Sequence, residues 1–179
     1  MPQLVIRRAT SVDAELLADI GAETFRDTFG ADNTPEDMAH YLAQSFSPEK
    51  QALELAEPGT FFLIAENEGT PAGFARIKIG EPPSAIGARV AVEISRLYAR
   101  KAWIGKGVGQ ALMQACLEEA KRTGHDVVWL DVWERNPRAI SFYSRWGFAV
   151  VGEQIFQLGH DAQRDLLMAR PIAAPNREA

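Results

Sequence analysis

Gly105, Lys106, Gly107, Val108 and Gly109 carry the clearest chemical signal in the chain, because they stand where one periodicity gives way to another. Before them, β-favouring residues alternate, with Val92, Ile94, Arg96 and Tyr98 on one face and Glu93, Ser95, Leu97 and Ala99 on the other. After them, Val108, Leu112, Ala115, Cys116 and Ala120 follow the 3.6-residue period of an amphipathic helix. Glycines at such a strand-to-helix turn let the backbone approach a ligand closely. The first amides of the helix have no intrahelical partners and point outward at an end carrying partial positive charge. Phosphate oxygens satisfy both features. The spacing is not GxxxxGK followed by Ser or Thr, since Gly107 follows Lys106 and no glycine stands five residues before Gly105. The GxGxxG fingerprint fails too, because Gly105, Gly107 and Gly109 are evenly spaced. A glycine-rich turn with no ligand is the alternative reading.

Charged and metal-binding side chains say less. Glu15, Asp19, Glu23 and Asp27 recur every four residues and fall along one drifting helical stripe. Such like-charge spacing costs a helix about 0.2–0.5 kcal/mol per pair unless something compensates. Either the stripe is a solvated face relieved by Arg26, or its C-terminal half, Glu23 and Asp27, borders a cation site. His40, His125 and His160 show no ligand spacing, so no metal is expected and all three read as surface residues. Cys116, the single cysteine, excludes an intrachain disulfide and a cysteine-based zinc site, and its place on an apolar stripe reads as core. The net charge of -5 argues against nucleic acid and for cationic small molecules.

The elements that must position these residues fit one α/β domain over residues 1–170, with residues 171–179 as a frayed tail. The 179 residues are 46% hydrophobic and 24% charged, enough to bury a core. MPQLVIRRAT lacks an apolar h-region and no apolar run approaches a membrane span, so neither secretion nor membrane insertion is expected and the cytoplasm is the expected location. Leu4 to Arg8 reads as a strand. Thr10 and Asp13 cap a helix running to about Phe29, and Thr34 and Pro35 open a second, with Asp37 completing the cap. Ser47-Pro48 starts a third. Phe61 to Glu66 and Ala72 to Ile79 form a hairpin through Asn67-Glu68-Gly69-Thr70, and Gly80 to Arg89 is a loop. Val127 to Trp133 is a strand, Asn136-Pro137 opens a helix through Trp146, and Phe148 to Leu158 and Arg164 to Arg170 are closing strands.

The run GKGVGQAL after a strand, followed by WLDVWERNPRAISFYSRWGF, resembles the GCN5-related N-acetyltransferase (GNAT) superfamily. The pieces ETFRDTF, NTPEDMAHYLAQSF, EISRLY, WLDVWERNPRAISFY, FQLG and DLLMAR also resemble the Pai-type bacterial spermidine/spermine N-acetyltransferases over nearly the whole chain. The resemblance implies a mixed, mostly antiparallel sheet with flanking helices, in which two central parallel strands, here Val92 to Arg100 and Val127 to Trp133, splay apart and admit the pantetheine arm of CoA. It implies acetyl-CoA as co-substrate, bound by Leu97, Tyr98, Ala99, Ile104, Gly105, Lys106, Gly107, Val108, Gly109, Asn136, Arg138 and Tyr143.

By the same resemblance, a backbone N-H near Leu97 or Tyr98 stabilises the developing oxyanion and Tyr143 faces the sulfur as general acid. Packing within the stripe of Phe142, Tyr143 and Trp146 is the alternative for Tyr143. Glu93 stands eleven positions before Ile104, the offset of a catalytic glutamate in histone-modifying members, with a water chain as rival base. Glu23, Asp27, Tyr41 and Trp133 would border the mouth for a primary amine acceptor such as spermidine or spermine. Two departures stand out. Ile104 replaces the usual Arg or Gln of the pyrophosphate loop, leaving Lys106 or Arg138 to compensate, and Asp131 occupies a position where a small residue is expected. A CoA-binding domain with a regulatory role is the alternative from a different class, and a homodimer is left open.

Overall fold

In the computed structural model, residues 3–87 and 90–172 are described. A seven-stranded mixed sheet runs in the order β1-β2-β3-β4-β5-β7-β6, with β1 Leu4–Arg8, β2 Thr60–Asn67, β3 Thr70–Ile79, β4 Ala91–Ala99, β5 Val127–Trp133, β6 Ala149–Leu158 and β7 Asp161–Pro171. Among the described residues only β4 and β5 are parallel; every other strand pair is antiparallel. This is the α/β architecture expected from the sequence. Alternation in β2 shows how the two layers form: Phe61 and Ala65 face the core under α4 (Val108–Arg122), while Phe62 and Ile64 meet Leu17 and Ile20 of α1 (Ala14–Phe29). The side chains of α5 (Pro137–Arg145) join the α4 face. Across the sheet, α2 (Pro35–Ser45) and α3 (Pro48–Ala56) accompany α1.

The helix starts follow their capping residues. Asp13 Oδ2 accepts from Thr10 N at 2.8 Å, Thr34 Oγ1 from Asp37 N at 3.1 Å and Ser47 Oγ from Lys50 N at 3.1 Å. Asp37 completes the Thr34 cap through its amide, and its carboxylate has a further partner. The carboxylate accepts from His160 N at 3.0 Å and so ties α2 to the β6–β7 turn. The first hairpin is tighter than expected: Asn67 pairs with Thr70, leaving Glu68 and Gly69 as a two-residue turn with φ of 49° and 77°.

Four other expectations are corrected. β4 does not alternate regularly, because Arg76 pairs with Arg96 and Ile77 with Ile94, leaving Ser95 as the extra residue of a bulge. The bulge keeps Val92, Ile94, Leu97 and Ala99 on the α4 face and sends Tyr98, with Arg96, to the side of α1 and α3. His125 is buried: its amide donates to Ala120 O where α4 ends, and its Nδ1 lies 2.8 Å from Thr123 Oγ1. β7 begins at Asp161 rather than Arg164 and continues through Pro171, into the stretch read as tail. Ile172 N donates to Asp126 O, while residues 173–179 lie outside the described residues, as do 88 and 89 of the loop read from Gly80 to Arg89. Cys116 is buried in the core, where burial pushes its thiol up to about 12. No helix among the described residues is long and apolar enough to cross a membrane.

Gly73 is where the β3–β4 pair and α4 come closest. A Cβ there would press on the backbone oxygen of Tyr98 and on Val108 Cγ1, neither of which is the free end of a flexible chain. Gly73→Ala should therefore destabilise the fold by about 1–3 kcal/mol, lowering the melting temperature by roughly 2–4 °C for each kcal/mol, as a thermal melt would show.

Candidate functional site

Pairing between β4 and β5 stops after three residues. Ala91, Val92 and Glu93 match Val127, Val128 and Trp129, and beyond them the strands separate. From Ile94 to Ala99 the β5-facing edge of β4 has no strand partner. A cleft of about 520 Å³ occupies this gap and crosses the sheet, for its lining comes from both faces. On the α4 side it is walled by Trp103, Gly105, Gly109, Asn136, Phe142 and Tyr143. On the α1 side it is walled by Phe25, Tyr41, Glu93, Asp131, Trp133 and Asp165.

At the first mouth, Gly105 and Gly107 adopt φ of 79° and 89°, the left-handed region that glycine enters without strain, and this turns the chain sharply into α4. The first helical bond at this end runs from Ala111 N to Gly107 O. Among the described residues no backbone carbonyl accepts from the amides of Gly105, Gly107, Val108, Gly109 or Gln110, whereas Lys106 N donates to Trp103 O and Ile104 N to Lys101 O. Five unpartnered amides at the positive end of a fifteen-residue helix can hold a phosphate group.

The other mouth is acidic and aromatic. Phe25 stacks on Tyr41 at 4.5 Å between centroids, Phe29 meets Trp133 at 5.4 Å, and Tyr41 meets Phe156 at 5.6 Å. Glu93 is pushed up to about 7, by burial first and then by Asp131. Arg76 and Arg96 also line this end, but their charges are engaged: Arg96 makes a two-pronged bond to Glu54 at 2.7 and 3.2 Å, and Arg76 Nη2 lies 3.2 Å from Glu57. Between the mouths, burial and then Asp131 hold the Tyr143 phenol above its ordinary range, so it is protonated at neutral pH.

The pattern that defines the Acetyltransferase (GNAT) family matches residues 22–148. The chain belongs to this family. An uncharacterized N-acetyltransferase of Lactobacillus delbrueckii subsp. lactis is 36% identical to it over 153 residues, covering 86% of this chain and 88% of that protein. The spermidine N(1)-acetyltransferase of Thermoplasma acidophilum is 26% identical over 149 residues, 81% of this chain and 88% of that one. Among solved structures, the PaiA N-acetyltransferase of Thermoplasma acidophilum in complex with coenzyme A shares the fold. Its TM-score is 0.77 over 94% of this chain and 99% of that chain, at 23% identity. This GNAT chain is accordingly an acetyl-CoA-dependent N-acetyltransferase, and the seven-stranded sheet with its splayed parallel pair is the GNAT fold.

The GNAT fold brings most of the residues singled out from the sequence into this one cleft. Glu93, Leu97, Tyr98, Ala99, Ile104, Gly105, Gly109, Asn136, Arg138, Tyr143, Tyr41 and Trp133 all line it. Lys106 instead lies 5.3 Å over the Trp103 ring, Gly107 contributes the helix cap, and the Val108 side chain is wholly buried in the core. Asn136 Oδ1 is committed to capping α5 through Ala139 N at 3.2 Å. Glu23 and Asp27 do not line the cleft. Helix geometry places them one step around α1 from Thr24, Phe25, Thr28 and Phe29, which do; Glu23 is 3.2 Å from Arg100 and Asp27 is exposed. Glu15 and Asp19 are exposed as well, so the stripe is a solvated face.

Sequence reasoning missed Phe29, Phe156, Gln110, Arg145 and Asp165. The last was legible as an acid in phase with Leu167 and Ala169 on the inward side of a strand.

The amide-rich mouth predicts ligand stabilisation. Coenzyme A at a hundredfold excess over its dissociation constant should raise the melting temperature by on the order of 5–10 °C. Gly109→Glu should abolish that rise without lowering the melting temperature of the free protein. A Cβ at Gly109 meets only ordinary contact with Phe142, and a carboxylate in the first turn favours the helix while repelling phosphate.

Proposed function

We propose that this enzyme acetylates a primary amine of a small polycation, with a polyamine such as spermidine as the acceptor class. The observation that carries the proposal is the continuity of one cleft from the amide-rich turn, through the strand splay, to an end walled by aromatics and by the carboxylates of Glu93, Asp131 and Asp165, with burial outweighing the pull of the surrounding arginines at Glu93. The relative from Thermoplasma acidophilum named a spermidine N(1)-acetyltransferase supports the same class. Acetyl-CoA supplies an activated acyl group as a thioester. In this reading its pyrophosphate lies against the amides of Gly105 to Gly109, and Ile104, which is exposed and apolar, contributes no side-chain bond. Arg138 and Arg145 border the cleft and are the cations placed to compensate.

The acceptor imposes the first chemical demand. An alkylammonium with a pKa of about 10.4 is neutral in roughly one molecule in a thousand or fewer at pH 7, so the protein must accept its proton. Glu93, with a titration near neutrality and a position on the cleft wall, suits that task, either directly or through a water. As the nitrogen attacks, negative charge builds on the carbonyl oxygen. Successive β4 amides point alternately to β3 and to the open edge, so one of Leu97 and Tyr98 presents its N-H to the gap, where loss of such a donor costs about a hundredfold or more. Tyr143, protonated and half-buried on the opposite wall, donates a proton to the departing thiolate.

Two variants test these roles. Tyr143→Phe should lower kcat by about 10²- to 10⁴-fold and leave the affinity for acetyl-CoA nearly unchanged, since the ring remains. Glu93 must be ionised to act as base, so kcat/KM in the parent should rise with pH up to about 7, and Glu93→Gln should move that ascending limb to higher pH, where the amine deprotonates unaided. Retained turnover in the first variant, or an unmoved limb in the second, removes the corresponding role. Release of free CoA with a panel of amines tests the acceptor class.

A further inference from the structure

Beyond Glu93, the wall formed by β5 and β7 carries two carboxylates that acetyl transfer does not use. Asp131 is opposite Leu167 and Asp165 is opposite Trp133, so the two are diagonal neighbours on one face of the antiparallel pair. Gln154, opposite Asp165 on β6, donates Nε2 to Asp131 Oδ2 at 2.9 Å and fixes that carboxylate. Asp165 lines the cleft and is only 6% exposed, yet its Oδ1 has no hydrogen-bond partner among the described residues. A buried carboxylate oxygen without a donor is costly, and a hydrogen-bond donor reaching it through the cleft would remove that cost.

The nearby cations are engaged elsewhere. Arg76 and Arg96 are held by Glu57 and Glu54, and Arg164 is bonded to Glu134 and Glu153 at 2.8 and 3.1 Å. The surrounding surface is aromatic, with Phe29, Tyr41, Trp133 and Phe156 supplying faces against which methylene groups and ammonium ions both pack.

We propose that Asp131 and Asp165 form a two-carboxylate subsite that binds a second, non-reacting ammonium group of the acceptor and so selects diamines and longer polyamines over monoamines. The proposal rests on the reading of the chain as an acetyltransferase of cationic amines and deepens it. The reacting nitrogen would meet Glu93 on β4, while the distal ammonium sits across the cleft on β5 and β7, with the chain between them lying on the aromatic wall.

The electrostatics give the subsite a signature. Two neighbouring carboxylates, Asp165 buried and Asp131 half-buried, do not both ionise readily, and Asp165 is held well above the ordinary carboxylate range by burial and then by Asp131. Glu134, following β5, adds to the same effect. Glu93 faces Asp131 from β4, and the phenols of Tyr98 on β4, Tyr41 on α2 and Tyr143 on α5 also feel it; Arg76, Lys78 and Arg96 act on Glu93 in the opposite sense. The free pair therefore retains a proton near pH 7 that an arriving ammonium displaces. Affinity for the second ammonium rises with pH as the pair ionises, and binding releases a proton.

Titration calorimetry of the CoA-saturated enzyme with spermidine and with butylamine, in buffers of different ionisation heat at pH 7, reads this directly. Spermidine should bind with proton release beyond any seen with butylamine. Asp165→Asn should abolish that excess and lower the ratio of spermidine to butylamine affinity by about tenfold or more. Because this variant removes one of two crowded carboxyls, its melting temperature at pH 8 should hold or rise; if it falls, Asp131→Asn carries the same test. Equal losses for both amines, or an unchanged proton count in the variant, would overturn the subsite. Acetylation assays separate the two proposals. Spermidine that binds with excess proton release but is never acetylated leaves the subsite standing and removes spermidine as an acceptor. Acetylation of both amines with a selectivity that Asp165→Asn does not change removes the subsite and leaves the chemistry.

Discussion

Three residue pairs hold β4 beside β5, and everything the cleft does depends on their being only three. A continuous parallel pair would satisfy its own backbone and close the sheet. Here the pairing ends at Glu93 and Trp129 while both strands continue, each secured on its other side by an antiparallel neighbour, β3 for β4 and β7 for β5. The open edges are thus rigid without being paired. They offer a ligand the hydrogen-bonding groups of a missing strand at no cost in ordering the protein. The bulge at Ser95 works with the splay. By inserting one residue into β4 it puts Leu97 and Ala99 on the α4 face while Glu93, Arg96 and Tyr98 face the helices across the sheet, so the strand that carries the open edge also supplies the acidic wall.

The limits of the sequence reading have the same origin. The turn from Gly105 to Gly109, the caps at Thr10, Thr34 and Ser47, and the boundaries of β1, β5 and α1 are set by local backbone chemistry, and the residue types announce them. The Ser95 bulge is not local. It exists because β3 and β4 pair with unequal residue counts between Ile77 and Arg76, which strict alternation along one strand cannot reveal. The stripe from Glu15 to Asp27 shows the same limit from the other side. Its spacing marks one helical face and leaves two readings open, because the direction a face points is set by the sheet beneath it, and Thr24, Phe25, Thr28 and Phe29 are the α1 residues that face the cleft. His125 followed the same rule, since a dispersed histidine reads as solvent-facing until the end of α4 folds over it.

Charge in the cleft is arranged by who has a partner rather than by who is present. Both signs line the end of the cleft beside α1, and counting side chains would leave it nearly neutral. Arg76 and Arg96 are bonded outward to α3 and the residue after it, where Glu54 is even more buried than they are, and these pairs satisfy each other. Glu93, Asp131 and Asp165 are in no ion pair among the described residues, and burial raises Glu93 and Asp165 toward neutrality against the weaker pull of Arg76, Lys78 and Arg96 on Glu93. The consequence is a surface whose negative charge is held in reserve: ligand-free it carries protons, and a cation draws it into the ionised state. In a medium of lower polarity than water that response is strong, because each unit of uncompensated charge is expensive.

That arrangement also explains why stability and function pull in opposite directions here. A carboxyl whose folded-state titration is raised favours the folded form below its unfolded value and loses that contribution as pH rises through the folded one. For Glu93 the window runs from about 4.5 to about 7, and Asp165 adds in the same sense. These groups therefore contribute least to stability at the pH where Glu93 is ionised, the state its proposed role as base requires. An ammonium seated among them reverses the sign, since it stabilises the ionised form that the empty cleft disfavours. Under the proposed function a cationic acceptor would favour the ionised forms that burial disfavours, and Glu93 on β4 and Asp165 on β7, each on a strand held by an antiparallel neighbour, would meet it from opposite sides of the splay.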